Sequence, residues 1–317
     1  MCLLTLAIDQ SRRFPLVLAG NRDEFFARPA ARMAWWSPGP DLPDILGGRD
    51  LEAGGTWLGL SAQGRLAVVT NVRAPLAARD PNAPSRGTIV PRWLAGDATT
   101  DRFWMRTSLS GFNGFNVIAA DFQSGECFYG THRSAHPVRL ERGLYGLSNA
   151  GLDTPWPKVV ALKDATREAL DASDSVDALA TRLFDALADR TQAEDDELPS
   201  TGVSRDWEKV LSSAFIRTAD GLYGTRCSTL VITERVNKRL VTHVFERTFG
   251  AAGGVALLRR VALKDWPPRY TEAPPAVVSA QEAVLESTEA QEPHHPVRRT
   301  RVRSLLKPET PRRRRAA

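Results

Sequence analysis

The residue with the clearest chemical potential is Cys2, which directly follows the initiating Met1. Cysteine is small enough for Met1 to be removed ahead of it, and removal would leave an α-amine and a thiol on one residue. An amine of reference pKa about 7.7–8.0 can accept the proton of a thiol of reference pKa about 8.5. The position therefore indicates a cysteine nucleophile that carries its own base. The alternative interpretation is a small buried side chain on a first strand.

A second group of candidate residues follows the next apolar run, in the segment LAGNRDEF. Asn21, Arg22, Asp23 and Glu24 are expected to emerge from a strand paired with that of Cys2. An arginine near the thiol would favour the thiolate, and a carboxylate would hold the α-ammonium by a charge-assisted hydrogen bond. The alternative is a solvated turn whose charges pair with their neighbours.

The elements that must position these residues can be predicted from the apolar patterning. Residues 2–8 and 14–19 are typical of a β-hairpin, and residues 27–56 are expected to be irregular. A first helix is predicted from Pro157, and a second between 174 and 190. Further strands are predicted at Thr56–Leu60, Arg65–Asn71, Phe115–Asp121, Glu126–Gly130, Leu144–Ser148, Ser228–Glu234 and Arg239–Phe249.

Strands at both ends of the chain and helices in the middle favour an α+β fold over alternating βαβ units. One domain is expected over residues 1–265. Residues 266–317 are rich in proline and arginine and lack periodicity, which predicts a disordered tail.

The net charge of +5 does not indicate a nucleic-acid-binding domain. Residues 298–317 hold nine basic residues and one acidic residue, whereas residues 1–297 hold 33 basic and 36 acidic residues. A basic domain surface is therefore not expected, and nucleic-acid binding through the tail is the least favoured reading. Three scattered cysteines suit a reducing cytosol, and no apolar run approaches the ~20 residues of a transmembrane helix. A cytoplasmic protein is expected.

Seven sequence blocks, in this order, resemble the NRDE family, which is also called the transport and Golgi organisation protein 2 family. The resemblance covers about residues 1–250. The blocks are MCLLTLA, GNRDEFFARP, GGRDLEAGGTWLGL, TNVR, PSRG, GLSNAGLDTPWPK and YGTRCSTL.

The resemblance implies a likeness to N-terminal nucleophile (Ntn) hydrolases, with a four-layer αββα sandwich, and more loosely to choloylglycine hydrolases and penicillin V acylases. Cys2 then corresponds to the nucleophile, and Arg22 to the arginine near the thiol. Asp23 corresponds to the aspartate that binds the α-amine, although those hydrolases space the two residues further apart.

The same likeness extends to three residues later in the chain. Asn71 and Asn149 resemble the two asparagines that form an oxyanion hole, and Arg226 resembles a late arginine beside the nucleophile. For the asparagines, the alternative is turn formation at strand ends. Two neutral amide donors would stabilise the oxyanion formed by attack on a carbonyl.

Together these features predict a cysteine-type amidohydrolase or acyl-transfer enzyme acting on a small amide, thioester or acyl substrate, with neither metal nor cofactor. The resemblance also implies an alternative function of another class, that of a non-catalytic protein that binds and traffics haem, lipid or acyl-CoA. In this alternative, haem would be bound as a ligand. The sequence leaves the substrate and the oligomeric state open.

Overall fold

The computed structural model describes residues 2–75, 78–96, 98–251 and 254–267. The first sheet is built from strands at the two ends of the chain and one from its middle. They are β1 (Cys2–Ile8), β2 (Leu16–Phe25), β10 (Gly143–Leu147), β11 (Tyr223–Val236), β12 (Arg239–Phe249) and β13 (Val255–Lys264). Their order across the sheet is β10-β1-β2-β11-β12-β13, and every neighbouring pair is antiparallel.

The second sheet is antiparallel and follows chain order. Its strands are β3 (Ala30–Trp36), β4 (Ile45–Asp50), β5 (Leu58–Ser61), β6 (Arg65–Asn71), β7 (Phe115–Asp121), β8 (Glu126–Thr131) and β9 (Val138–Arg139).

Helices cover the outer faces of both sheets. They are α1 (Ile89–Leu94) and α2 (Thr100–Ser108) on the second sheet, and α3 (Pro157–Ala172) and α4 (Val176–Leu187) on the first; α5 (Arg205–Val210) is a further short helix. The sequence of α4 explains its packing, because its buried residues recur at helical spacing on one face. The hydroxyl of Ser175 accepts a hydrogen bond from the Ala178 amide and caps its first turn.

Three apolar clusters separate four layers. One packs the outer face of the first sheet, including Leu3 and Leu230, against α3 and α4. The second fills the space between the sheets, where Leu18 and Leu60 are fully buried. The third packs the second sheet against α1 and α2. The α+β fold with a four-layer αββα sandwich is therefore confirmed.

Several elements differ from the sequence predictions. The region 27–56 is not irregular, because it contains β3 and β4. The segment Asn21–Glu24 lies inside β2 rather than after it. Trp266, placed at the start of the predicted tail, is buried between the sheets, and its indole donates to the Ser61 carbonyl at 2.8 Å. The rest of that tail, 268–317, lies outside the described residues.

Within the described part of the chain, no helix combines the length and the apolar character needed to cross a membrane.

Candidate active site

The segment Asn21–Glu24 divides its side chains between the two faces of the first sheet, because successive residues of a strand point to opposite sides. Arg22 lies on the inner face, where its guanidinium stacks 4.3 Å from the ring centroid of Trp57. Asn21 lies on the outer face, where its amide donates to the carbonyls of Leu187 and Ala214 at 2.8 and 2.9 Å. Arg22 can therefore serve an inter-sheet site, while Asn21 anchors the helical layer.

Cys2, Arg22 and Cys227 form one row across three neighbouring strands. Arg22 is directly opposite Cys2 in β1 and directly opposite Cys227 in β11. Residues opposed in this way lie on the same face of a sheet. The hairpin predicted from the sequence thus brings the arginine beside the candidate nucleophile, and β11 adds a second thiol on its other side.

Cys2 lines a cavity of about 630 Å³ between the ends of the sheets. Arg22, Asp23 and Asn71 line the same cavity, as does Trp57. The described residues of its wall include four arginines and five acidic side chains. The candidate nucleophile therefore faces a polar space large enough for a small-molecule ligand.

The guanidinium of Arg22 is held by few contacts for a buried cation. Its Nη2 lies 3.8 Å from Glu24 and 3.9 Å from Asp50, both beyond hydrogen-bond distance. Its Nη1 is buried and has no hydrogen-bond partner among the described residues. Arg22 accordingly has donor capacity left for a ligand or a reacting group.

Burial raises the pKa of the Cys2 thiol above its usual value, and the Arg22 cation acts in the opposite direction. The thiol is therefore protonated at neutral pH and needs a base before it can act as a nucleophile.

Asp23, a residue of β2, lies beside the end of β1 at which Cys2 is the first residue. The register pairs Cys2 with Arg22, so Asp23 is one position beyond the last pair, where an α-amine on Cys2 would project. Its carboxyl accepts a hydrogen bond from the Thr225 hydroxyl at 2.7 Å. Burial raises the pKa of Asp23, while Lys158 and the Thr225 hydrogen bond act in the opposite direction.

Asn71, at the end of β6, and Asn149, just after β10, are joined directly. The side-chain amide of Asn149 donates to the Asn71 carbonyl at 2.8 Å, and the neighbouring Ser148 hydroxyl donates to the Cys2 carbonyl at 2.9 Å. Asn71 lines the cavity with Cys2, whereas Asn149 is buried behind it. One amide hydrogen of Asn149 is used in this bond, which leaves the other to act as a donor.

Arg226 lies away from the cavity that Cys2 lines. It is the extra residue of a β-bulge between Thr225 and Cys227, and its guanidinium donates to the carbonyls of Phe25 and Arg28 at 2.7 and 2.9 Å. It lines instead a smaller adjoining cavity that also contacts Arg22. The structure therefore brings Arg226 together with Arg22, but outside the cavity that Cys2, Asp23 and Asn71 line.

Sequence reasoning missed three buried or half-buried cations beside the candidate site. Lys158, in the first turn of α3, donates to the Leu211 carbonyl at 2.8 Å, and burial lowers its pKa to about 8. Arg73 forms a buried ion pair with Glu208 and stacks 4.5 Å from the Trp156 ring. Arg86 lines the cavity with Cys2. Each lies within a resembling block or next to one, but only the tertiary structure brings them together.

The amino-acid sequence of this chain matches a known protein family. A sequence model of the family described as Transport and Golgi organisation 2 matches residues 1–251. The mouse Transport and Golgi organization 2 homolog is 34% identical over 254 residues, covering 74% of this chain and 89% of the relative. The bovine homolog is 35% identical with the same coverage. The Drosophila melanogaster protein is 25% identical over 287 residues, covering 78% and 92%.

Among solved structures, a Caenorhabditis elegans N-acylethanolamine-hydrolyzing acid amidase ortholog matches with a TM-score of 0.43 and 10% identity, covering 73% of this chain and 92% of its own. The match to the family sequence model and the identity to its animal relatives confirm the resemblance of the seven blocks. The chain belongs to the Transport and Golgi organisation 2 family.

Proposed function

We propose that this protein is a cysteine-type Ntn amidohydrolase or acyl-transfer enzyme that uses Cys2, exposed by removal of Met1, to attack a small amide or thioester. The observation that carries the proposal is the position of Cys2 at the start of β1, opposite Arg22 and on the wall of the 630 Å³ cavity. The αββα layering and the carboxylate of Asp23 at the same strand end support it.

The first half of the reaction follows from these positions. The α-amine of Cys2 takes the thiol proton, and Sγ attacks the substrate carbonyl carbon, whose π electrons move onto oxygen. The side-chain amide of Asn71, which lines the cavity, stabilises this oxyanion, and Asn149 supports Asn71 from behind through its hydrogen bond to the Asn71 carbonyl. The intermediate collapses with cleavage of the C–N or C–S bond, and the α-ammonium returns its proton to the leaving amine or thiol. A thioester on Cys2 remains.

The second half regenerates the enzyme. Water, or an acceptor amine or alcohol, gives a proton to the α-amine and attacks the thioester carbonyl. Collapse of the second oxyanion breaks the C–Sγ bond, and the thiolate of Cys2 recovers the proton. The role of Asp23 is to hold the α-ammonium through a charge-assisted hydrogen bond and so to orient the amine toward Sγ.

A second candidate function is the non-catalytic binding and transport of a lipid or acyl ligand, because the family name refers to transport and Golgi organisation. Haem fits the described cavity wall poorly. That wall carries nine charged side chains and no histidine or tyrosine, and its thiol is kept protonated by burial. A binding role would therefore rest on the acyl-sized space rather than on an axial ligand.

Mass spectrometry after exposure to p-nitrophenyl acetate tests the proposal. We expect a chain without Met1 that gains one acetyl group, which hydroxylamine removes as expected for a thioester. Cys2→Ala should gain none, and the matched control Cys127→Ala should acylate like the wild type. Retained Met1, or an adduct that persists in Cys2→Ala, would overturn the proposal. Saturable binding of a fatty acid to wild type and Cys2→Ala alike, without acylation, would establish the carrier alternative.

A further inference from the structure

A second, smaller cavity adjoins the one that Cys2 lines. It has a volume of about 220 Å³, and the two cavities share Arg22 and Trp57 in their walls. Its remaining wall comes from β3, from the bulge of β11 and from β12. The residues that matter for its chemistry are Arg32, Arg226, Cys227 and Glu246.

The charge of this cavity differs from that of its neighbour. Three arginines, Arg22, Arg32 and Arg226, face one carboxylate, Glu246, so the described wall carries a net charge of +2. Burial raises the pKa of Glu246, whose carboxylate accepts a hydrogen bond from the Met33 amide at 2.7 Å. The wall of the larger cavity has one more acidic than basic side chain. An anion is therefore favoured in the smaller cavity and not in the larger one.

Arg22, which lines this cavity, has a donor that no described protein group accepts. Its side chain is more than nine-tenths buried, and Nη1 has no hydrogen-bond partner among the described residues. The carboxylates nearest to it lie at 3.8 and 3.9 Å. Cys227 cannot supply the counter-charge, because burial raises the pKa of its thiol well above the usual value and keeps it neutral. A buried guanidinium in this state is stabilised by an oxyanion that accepts its free N–H groups.

We infer that the smaller cavity binds a carboxylate or phosphate group, held by Arg22 with Arg32 and Arg226. A volume of about 220 Å³ is large enough to hold one such group. If the proposed function holds, this group is the anionic end of the substrate, and the acyl carbonyl lies on the other side of Arg22 at Cys2.

Isothermal titration calorimetry with acetate, with inorganic phosphate and with neutral acetamide tests the site without relying on catalysis. We expect saturable binding of at least one anion and none of acetamide, and the two anions distinguish a carboxylate site from a phosphate site. Arg32→Gln, at an exposed position, should weaken the binding about tenfold, whereas Arg235→Gln, exposed further along β11, should leave it unchanged. Glu246→Gln should strengthen it severalfold, because the substitution removes a negative charge while keeping the acceptor for the Met33 amide.

The result that overturns the inference is the absence of saturable anion binding to the wild type, or binding that neither Arg32→Gln nor Glu246→Gln changes. Cys2→Ala should bind the anion like the wild type. A wild-type protein that is not acylated but binds the anion would overturn the proposed function and support the anion site. A wild-type protein that is acylated but does not bind the anion would overturn the anion site and support the proposed function.

Discussion

Cys2 and Arg22 are directly opposed across β1 and β2, so that the thiol and the guanidinium leave the sheet on the same face. In such a pair the Cβ atoms lie about 4.5–5.5 Å apart. The register of one hairpin therefore fixes the distance between the candidate nucleophile and the cation that favours its ionised form. This relationship is local in sequence and independent of the loops around the cavity.

Replacement of Arg22 should shift the ionisation of Cys2. The Arg22 cation lowers the pKa of the thiol, against a larger increase caused by burial. In Arg22→Gln the pKa rises further, so the rate of alkylation at Cys2 should follow a pH profile displaced to higher pH, with severalfold slower alkylation at pH 7.5. Peptide mapping after iodoacetamide treatment measures this. Arg22→Lys, which keeps the charge, is the control, and an unchanged profile in Arg22→Gln would contradict the assignment.

Lys158 should make the stability of the protein depend on alkaline pH. Burial lowers its pKa in the folded protein to about 8, below the ordinary lysine pKa of 10.5, so between these values the unfolded chain binds a proton that the folded chain does not. The free energy of unfolding should therefore rise with pH over this range, by up to about 1.4 kcal/mol per pH unit from this group. Urea unfolding of Lys158→Met should lack this component of the rise. Lys163→Met, on the same helix beside Asp153, should retain it; equal slopes in all three proteins would refute the prediction.

Asn21 should contribute to stability rather than to chemistry. Its amide satisfies the carbonyls of Leu187 and Ala214, and its carbonyl accepts from the Ser228 hydroxyl at 2.6 Å. Asn21→Ala leaves these buried groups without a partner, which should lower the free energy of unfolding by about 2–4 kcal/mol. Urea denaturation provides the measurement. Asn82→Ala, at an exposed position, should change it by less than about 0.5 kcal/mol. A loss as small as that of the control would show that the bonds are dispensable.

Gly48 keeps Trp57 in contact with Arg22. A Cβ at position 48 would lie 2.4 Å from the Trp57 ring, so Gly48→Ala must displace the ring from the guanidinium. We expect a loss of about 1 kcal/mol or more in stability together with altered alkylation at Cys2. In Gly39→Ala the nearest atom to the new Cβ is at 3.5 Å, and both properties should match the wild type. Wild-type alkylation in Gly48→Ala would mean that the ring position does not matter.

The parts of the fold that sequence predicted are those with a local signal. The first hairpin and the helix between 174 and 190 follow from alternation and from helical spacing, which need no knowledge of distant residues. β3 and β4 were missed because the region is rich in proline and glycine and their pairing is interrupted between Ala31 and Ala34. β13, at the sheet edge, is largely exposed, and only Val261 and Leu263 among its described side chains pack partly against the core, which is too short an alternation to indicate a strand.

The residues of the candidate site also divide into those that a local sequence signal brings together and those that only tertiary packing brings together. The proximity of Cys2 and Arg22 follows from one hairpin, whereas Lys158 and Arg73 approach Asp23 only because helix and sheet pack together. The opposite faces of Asn21 and Arg22 depend on β2 continuing to Phe25, which the charged residues of this segment concealed. Burial of charge is a tertiary property, and no spacing rule indicates it.

In the bulge of β11, residue 226 affects the pairing of the strand by its presence, whatever its side chain is. On one side of it Thr225 faces Asp23, and on the other Cys227 faces Arg22. The extra residue sets the phase between these two pairings, since a shift of one position turns a strand residue to the opposite face. Exchange of Arg226 for another amino acid preserves that phase, whereas its deletion does not. At this position the pairing of β11 with β2 depends on the number of residues in the chain and not on the type of side chain.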